Sequence, residues 1–299
     1  MYVLFPYFFI ALVLTALQRY LIYPGRSSET ISARDARLPE GRVHTITMES
    51  EDGLELRGWH VLAAGRTAAT REEFDRELAL GRTLVLFFPG NGGNRLNRAN
   101  DCRVLAELGA DVFLFDYRGY GENPSSPSET RLAADARRAW NYATEVRGVA
   151  PERIVLLGES LGGGVATRLA AELSASGSPP AGLILRSTFS SLADVAAGHY
   201  PWLPVRLLLV DRFPSADRIG SVTCPLLQVH GSDDSIVPIE LGRALFDVAP
   251  DVSACGIEKQ FVELRGIGHN EIPGEFFEVH VRLFLAELSR TARAKPASP

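Results

Sequence analysis

Lysine is nearly missing from this chain of 299 residues: Lys259 and Lys295 are its only two, and the arginines that carry the remaining positive charge never gather into a block. With a formal net charge of −5, no clustered cations are available to neutralise phosphates, which argues against nucleic acid as a partner. Cysteine is equally scarce. Cys102, Cys224 and Cys255 are an odd number at unrelated spacings and suggest neither a disulfide framework nor a zinc site. Reduced thiols, no metal and no organic cofactor are expected. No internal repeat or low-complexity tract breaks the chain. Its 46% apolar and 22% charged residues suffice for a full core, so one principal domain is the simplest organisation.

What the chain does have is a long apolar start. Residues 1–17 are nearly all apolar, and the run resumes as Tyr20-Leu21-Ile22-Tyr23 after Gln18-Arg19. As a helix the first stretch spans about 25 Å, slightly less than the roughly 30 Å hydrocarbon core, a mismatch that bilayer thinning covers. The basic n-region and A-x-A-like site of a cleaved signal peptide are both lacking. A buried core helix competes, with Pro6 near its start. A single-pass membrane anchor over residues 1–24 is the expectation. Arg19, Arg26, Arg34 and Arg37 all follow the apolar run, so the positive-inside rule puts the rest of the chain on the cytoplasmic side. Residues 25–42 contain Gly25, Pro39 and Gly41 and read as a linker, 43–290 as the folded domain, and 291–299 as a disordered tail.

Within that domain, residues 43–47 and 54–59 alternate apolar and polar around Asp52-Gly53, a β-hairpin signal. Residues 63–81 read as a polar, helix-prone surface insertion. Short apolar runs at 83–88, 111–115, 154–157, 182–185, 226–229 and 260–264 predict buried strands. Helical segments are predicted at 94–108, 131–146, 161–173, 239–248 and 274–289. Strand and helix in alternation predict an α/β fold: a mostly parallel sheet covered by helices on both faces. The connection 187–223 is longer than usual and rich in proline and apolar residues, and predicts a small cap over the sheet's carboxyl edge.

The chemistry concentrates at Gly158-Glu159-Ser160-Leu161-Gly162, which stands between the predicted strand 154–157 and the predicted helix that follows. Such a G-x-S-x-G elbow puts its serine in a strained strand-to-helix turn, and glycine at the flanking positions lets neighbouring backbone approach without a Cβ clash. The hydroxyl then stands at a helix N-terminus, where N–H groups and the positive end of the dipole stabilise an oxyanion. Ser160 is therefore the candidate nucleophile. It needs a histidine base and a carboxylate to orient that base. Of the six histidines, His269 lies in Gly268-His269-Asn270, on the loop after the last predicted strand, and is the candidate base. His230 ends a strand and supports the next turn, while His44, His60 and His280 fall where structural roles are expected. Asp233 and Asp234 share one tight turn, and only one of them can face His269. The N–H groups of Leu161 and of Asn91, in the loop Pro89-Gly90-Asn91-Gly92-Gly93-Asn94, are the candidate oxyanion donors. No P-loop lysine follows that glycine-rich loop.

These motifs, with Gln18-Arg19, Tyr23-Pro24, Asp116-Tyr117-Arg118-Gly119-Tyr120-Gly121, Tyr200-Pro201, Asp211-Arg212-Phe213, His230-Gly231 and Val237-Pro238, resemble the α/β-hydrolase superfamily, in the branch of membrane-anchored lysophospholipid lipases and acyl-protein thioesterases. The chain order Ser, Asp, His is the order of that superfamily. The resemblance selects Asp234 as the triad acid. It implies hydrolysis of a carboxylic ester or thioester. A lipid-like acyl substrate is expected because the anchor would hold the site near the bilayer and the cap at 200–210 is apolar, and the membrane is the other expected partner. His199, Tyr200 and Trp202 in the cap are candidate substrate contacts. A serine aminopeptidase and a non-catalytic, membrane-tethered binding module are the alternatives. Two departures stand out: Pro89 and Gly92 replace the His and Ala of the family's oxyanion loop, and Glu122-Asn123-Pro124 replaces its Ser-x-Gly continuation.

Overall fold

The computed structural model describes residues 4–25, 30–272 and 274–294. One eight-stranded sheet organises them, with strands β1 (Val43–Glu49), β2 (Glu55–Val61), β3 (Leu84–Phe88), β4 (Asp111–Phe115), β5 (Ile154–Glu159), β6 (Gly182–Arg186), β7 (Leu226–Gly231) and β8 (Gln260–Leu264) in the spatial order 1-2-4-3-5-6-7-8. Strands β1 and β2 pair antiparallel as a hairpin, β2 joins β4 antiparallel, and the remaining five pairings are parallel. This is the expected α/β arrangement, with each predicted strand in place.

The continuous apolar runs follow from burial on both faces. Leu84, Leu86, Ile154, Leu156, Leu183 and Leu185 point into one core, where they meet helices α4 (Glu129–Asn141), α5 (Leu161–Ala175), α8 (Ser215–Ile219) and α9 (Ile239–Asp247). Val85, Phe87, Val155, Leu157 and Ile184 point into the other, against α3 (Ala99–Glu107) and α10 (Gly274–Ala294). The predicted helix 94–108 divides into a 3₁₀ turn at Arg95–Arg98 and α3, because Asn94 caps the turn by accepting the Leu96 N–H. The 63–81 insertion is partly helical as α2 (Arg71–Ala79), and it buries Phe74 and Leu78 rather than lying wholly on the surface. Helices α6 (Leu192–His199) and α7 (Val205–Leu208), with α8, fill the connection between β6 and β7.

Three sequence expectations change at the termini. The apolar start forms α1 (Leu4–Ile22), but among the described residues no helix is long and apolar enough to cross a membrane. Instead α1 lies against the cap: Ala11 packs with Leu203 and Val205, Gln18 is buried, and Arg19 pairs with Asp211. The expected single-pass anchor, and the cytoplasmic orientation that depended on it, find no support. Helix α1 keeps an apolar outer face, with Phe8, Phe9 and Leu12 exposed. The supposed linker is partly core, since Ile31 and Ala36 are buried beside Trp59 and residues 33–36 form a 3₁₀ turn. Of the supposed tail, residues 291–294 continue α10, and 295–299 lie outside the described residues, as do 1–3 and 26–29 of the supposed anchor and linker.

Candidate active site

Strand β5 ends in the elbow, and the backbone there has no slack. Ser160 takes φ 51° and ψ −116°, a conformation costly for any residue with a Cβ. The turn closes around it only because its neighbours are glycines: a Cβ on Gly158 would stand 2.6 Å from Gly162 O, and one on Gly162 would stand 2.0 Å from Phe88 O. Two further bonds pin the serine, from its N–H to Arg186 O at 2.8 Å and from the Thr188 hydroxyl to its carbonyl at 2.9 Å.

The loops after β7 and β8 bring the partners. His269 Nε2 is 3.1 Å from Ser160 Oγ, and His269 Nδ1 is 2.6 Å from Asp234 Oδ2. Asp234 Oδ1 accepts the N–H groups of Ile236 and Val237 at 3.0 and 2.7 Å, whereas Asp233 is exposed and bonds Ser232. His230 is wholly buried, with its Nε2 2.9 Å from Val237 O and 3.3 Å from Asp234 Oδ2, so it touches the carboxylate as well as the turn. Burial alone would raise the Asp234 carboxyl. Hydrogen bonds from His230, His269 and the Val237 N–H outweigh that and hold it well below the usual carboxylate range.

A family model described as the alpha/beta hydrolase fold matches residues 83–215. An uncharacterized protein of Mycobacterium tuberculosis is 42% identical over 273 residues, 90% of this chain and 88% of that one. The lysophosphatidylserine lipase ABHD12 of Mus musculus is 30% identical over 271 residues, 80% of this chain and 68% of that one. The chain belongs to the α/β-hydrolase superfamily. Within it, the chain falls in the lysophospholipase-like branch. Among solved structures, the Pyrococcus furiosus esterase covers 89% of this chain and 99% of its own with a TM-score of 0.66 at 17% identity, a likeness of fold.

In this α/β-hydrolase a cavity of about 290 Å³ opens onto Ser160. Asn91 and Leu161 line it beside the serine, and Leu161 heads α5, where an N–H has no helical partner. His199 and Tyr200 line it too, although His199 Nε2 is spent on Ile236 O at 2.9 Å. Trp202 does not: it is half exposed, edge-on to Tyr200, and offers only its carbonyl, to the Tyr7 hydroxyl. No aspartate, glutamate, lysine or arginine lines the cavity among the described residues, and most of the wall is aliphatic.

Both departures from the superfamily pattern have a structural outlet. Pro89 keeps its carbonyl, which accepts the buried Tyr117 hydroxyl at 2.9 Å, and Asn123 braces β2 by accepting the Arg57 N–H at 2.8 Å. Arg118 ties down its turn through Asp135 and Asp52, away from the cavity.

Two features went unseen in the sequence. Glu159, the variable position of the elbow, is buried and bonded through both oxygens by Arg98, at 2.7 and 2.8 Å, and by Arg186 at 2.9 Å, so it joins the 3₁₀ turn after the 89–94 loop to the end of β6. The other is α1, whose Ala11, Leu14, Thr15, Gln18 and Ile22 are cavity wall. Their three- and four-residue spacing, and two polar residues inside an apolar run, were the available signal.

Proposed function

We propose that the chain is a serine hydrolase that cleaves a carboxylic ester or thioester of a lipid-like acyl substrate through an acyl-enzyme. Ser160 Oγ attacks the acyl carbon while His269 Nε2 takes its proton, and Asp234 holds the imidazole with Nε2 toward the serine and stabilises the imidazolium. The N–H groups of Leu161 and Asn91 receive the oxyanion. As the tetrahedral intermediate collapses, the proton passes from His269 to the leaving oxygen or sulfur. A water, deprotonated by the same imidazole, then releases the acid and restores Ser160.

The observation that carries this reading is the 3.1 Å and 2.6 Å relay from Ser160 through His269 to Asp234, opening onto a largely aliphatic cavity whose described wall has no aspartate, glutamate, lysine or arginine. The relatives named lysophosphatidylserine lipase support a lipid ester. An aminopeptidase would need a carboxylate to receive the substrate's ammonium group, and the described cavity wall supplies none.

The test uses the full chain, because α1 is part of the wall. Across p-nitrophenyl esters from acetate to palmitate, turnover should rise with acyl length until the pocket is filled, and a fluorophosphonate should label Ser160. Ser160→Ala should abolish labelling and lower kcat by at least about 10³-fold. Turnover undiminished in Ser160→Ala, or no turnover at any length, would refute the proposal.

A further inference from the structure

Helix α1 is fastened along its whole cavity face. Beside the nucleophile, Ile22 O accepts the Asn91 side-chain amide at 2.9 Å, and Tyr23 Oη and Arg19 Nε each bond Asp211 at 3.0 Å. One turn earlier, the Gln18 amide donates to Leu208 O at 3.3 Å while its Oε1 accepts the Val210 N–H at 2.7 Å. At the far end Ala11 packs against Leu203 and Val205. The polar atoms of this face are committed to protein partners: the Thr15 hydroxyl donates to Ala11 O at 2.7 Å, and Gln18 is engaged as described. What the helix offers the cavity is mainly hydrocarbon.

We infer that α1 is the measuring wall of the acyl site, and that Ala11 and Leu14 are the specificity-determining residues that set the longest acyl chain Ser160 receives. The inference rests on the acyl-ester reading above and extends it to the length of the acyl group. Ile22 sits by the oxyanion loop and Ala11 lines the same cavity eleven residues earlier, a helical rise of about 16 Å. An extended acyl chain advances about 1.25 Å per carbon, from a ~1.5 Å carbon–carbon bond at a tetrahedral angle. About thirteen carbons therefore lie along this face, a long-chain acyl group with its head group left outside. Ala11 presents a single methyl at the far end, so a larger side chain there shortens the space. Truncating Leu14 enlarges it.

The decisive experiment titrates saturated fatty acids, octanoate to palmitate, into the full-length Ser160→Ala chain, alone and with Ala11→Phe or Leu14→Ala, while the ester series is run on the Ser160-containing counterparts. In the parent, affinity should rise severalfold per added methylene until the far end is reached. Ala11→Phe should bring that limit to a shorter chain and lower the palmitate-to-octanoate affinity ratio at least tenfold, and Leu14→Ala should move the limit to longer chains. A parent that binds none of the acids, or a chain-length limit moved by neither substitution, would overturn the inference. If Ala11→Phe fails to fold, as judged by circular dichroism, Leu14→Ala decides alone. Fatty-acid binding with the expected limits but no ester turnover would refute the serine-hydrolase proposal and uphold the measuring wall.

Discussion

The side-chain amide of Asn91 donates to the carbonyl of Ile22 at 2.9 Å, joining the loop beside Ser160 to the last turn of the N-terminal helix. Asn91 thus holds the pocket wall with its side chain, while its backbone N–H is left to the oxyanion role proposed for it. Asn91→Ala removes only the first of these. We expect kcat to fall about tenfold and stability by about 1 kcal/mol, the net worth of one hydrogen bond. A fall of 10³-fold or more would instead mean that the side chain itself contacts the reacting group. Steady-state kinetics with a medium-chain ester, beside thermal melts, separates the two.

Asp234 accepts from four donors: His269, His230 and the N–H groups of Ile236 and Val237. Asn in its place cannot accept at both positions, and an NH₂ turned toward His269 would force the opposite tautomer. Asp234→Asn should lower kcat about 10⁴-fold with little change in KM. Equal losses in kcat and gains in KM would place Asp234 in substrate binding rather than in the relay.

Glu159 gives the protein an acid-sensitive joint. Burial alone would raise its carboxyl, but the charges and hydrogen bonds of Arg186 and Arg98 outweigh burial and hold it below its ordinary value. A carboxyl depressed in the folded state adds stability that is complete above the unfolded value of about 4.3 and is lost as pH falls through the folded one. Melting temperature should therefore drop as pH goes from 6 toward 3. Glu159→Gln leaves the buried Arg186 and the partly buried Arg98 each short of a partner and should cost about 3 kcal/mol at neutral pH. Its melting temperature should also fall less steeply with acid, and a variant that keeps the parent's full acid dependence would show that other carboxylates set it.

Two glycines of the site should respond oppositely to alanine. A Cβ on Gly162 would press into Phe88 O at 2.0 Å and Pro89 O at 2.5 Å, backbone atoms that cannot yield without opening the elbow. Gly162→Ala should lower activity by more than 10²-fold and destabilise by about 3 kcal/mol or more, since overpacking here displaces main chain. Gly92 has nothing within 4 Å of its would-be Cβ. Gly92→Ala restores the residue expected from the family resemblance and should leave activity within about twofold while adding up to about 1 kcal/mol through the unfolded chain. Chemical denaturation of both variants checks the pair, and a destabilised Gly92→Ala would contradict the open space around it.

The strands and the elbow were legible because their signals are local. Each buried strand is a short run dominated by apolar residues, and Gly158 and Gly162 bracket Ser160 within five positions. His269 was legible from its place on the loop after the last strand. The choice between Asp233 and Asp234 was not legible from local chemistry, which adjacent residues in one turn share, and only the family resemblance selected Asp234. The structure separates them by which side chain the turn buries, and Asp234 is the buried one.

The N-terminal segment shows where local reading stops. The apolar run at the start of the sequence determined that this segment seeks an apolar environment, but lipid and a protein groove offer that environment equally well. Only the tertiary structure decided between them for the inward face. The cap places Leu203, Val205 and the Leu208 carbonyl where Ala11 and Gln18 reach them, so the buried polar group of Gln18 finds its partners in protein. The elbow's chemistry is likewise written in five consecutive residues. The cavity beside it is assembled from chain segments nearly two hundred positions apart, a proximity that no local pattern encodes and that sheet order and cap packing alone produce.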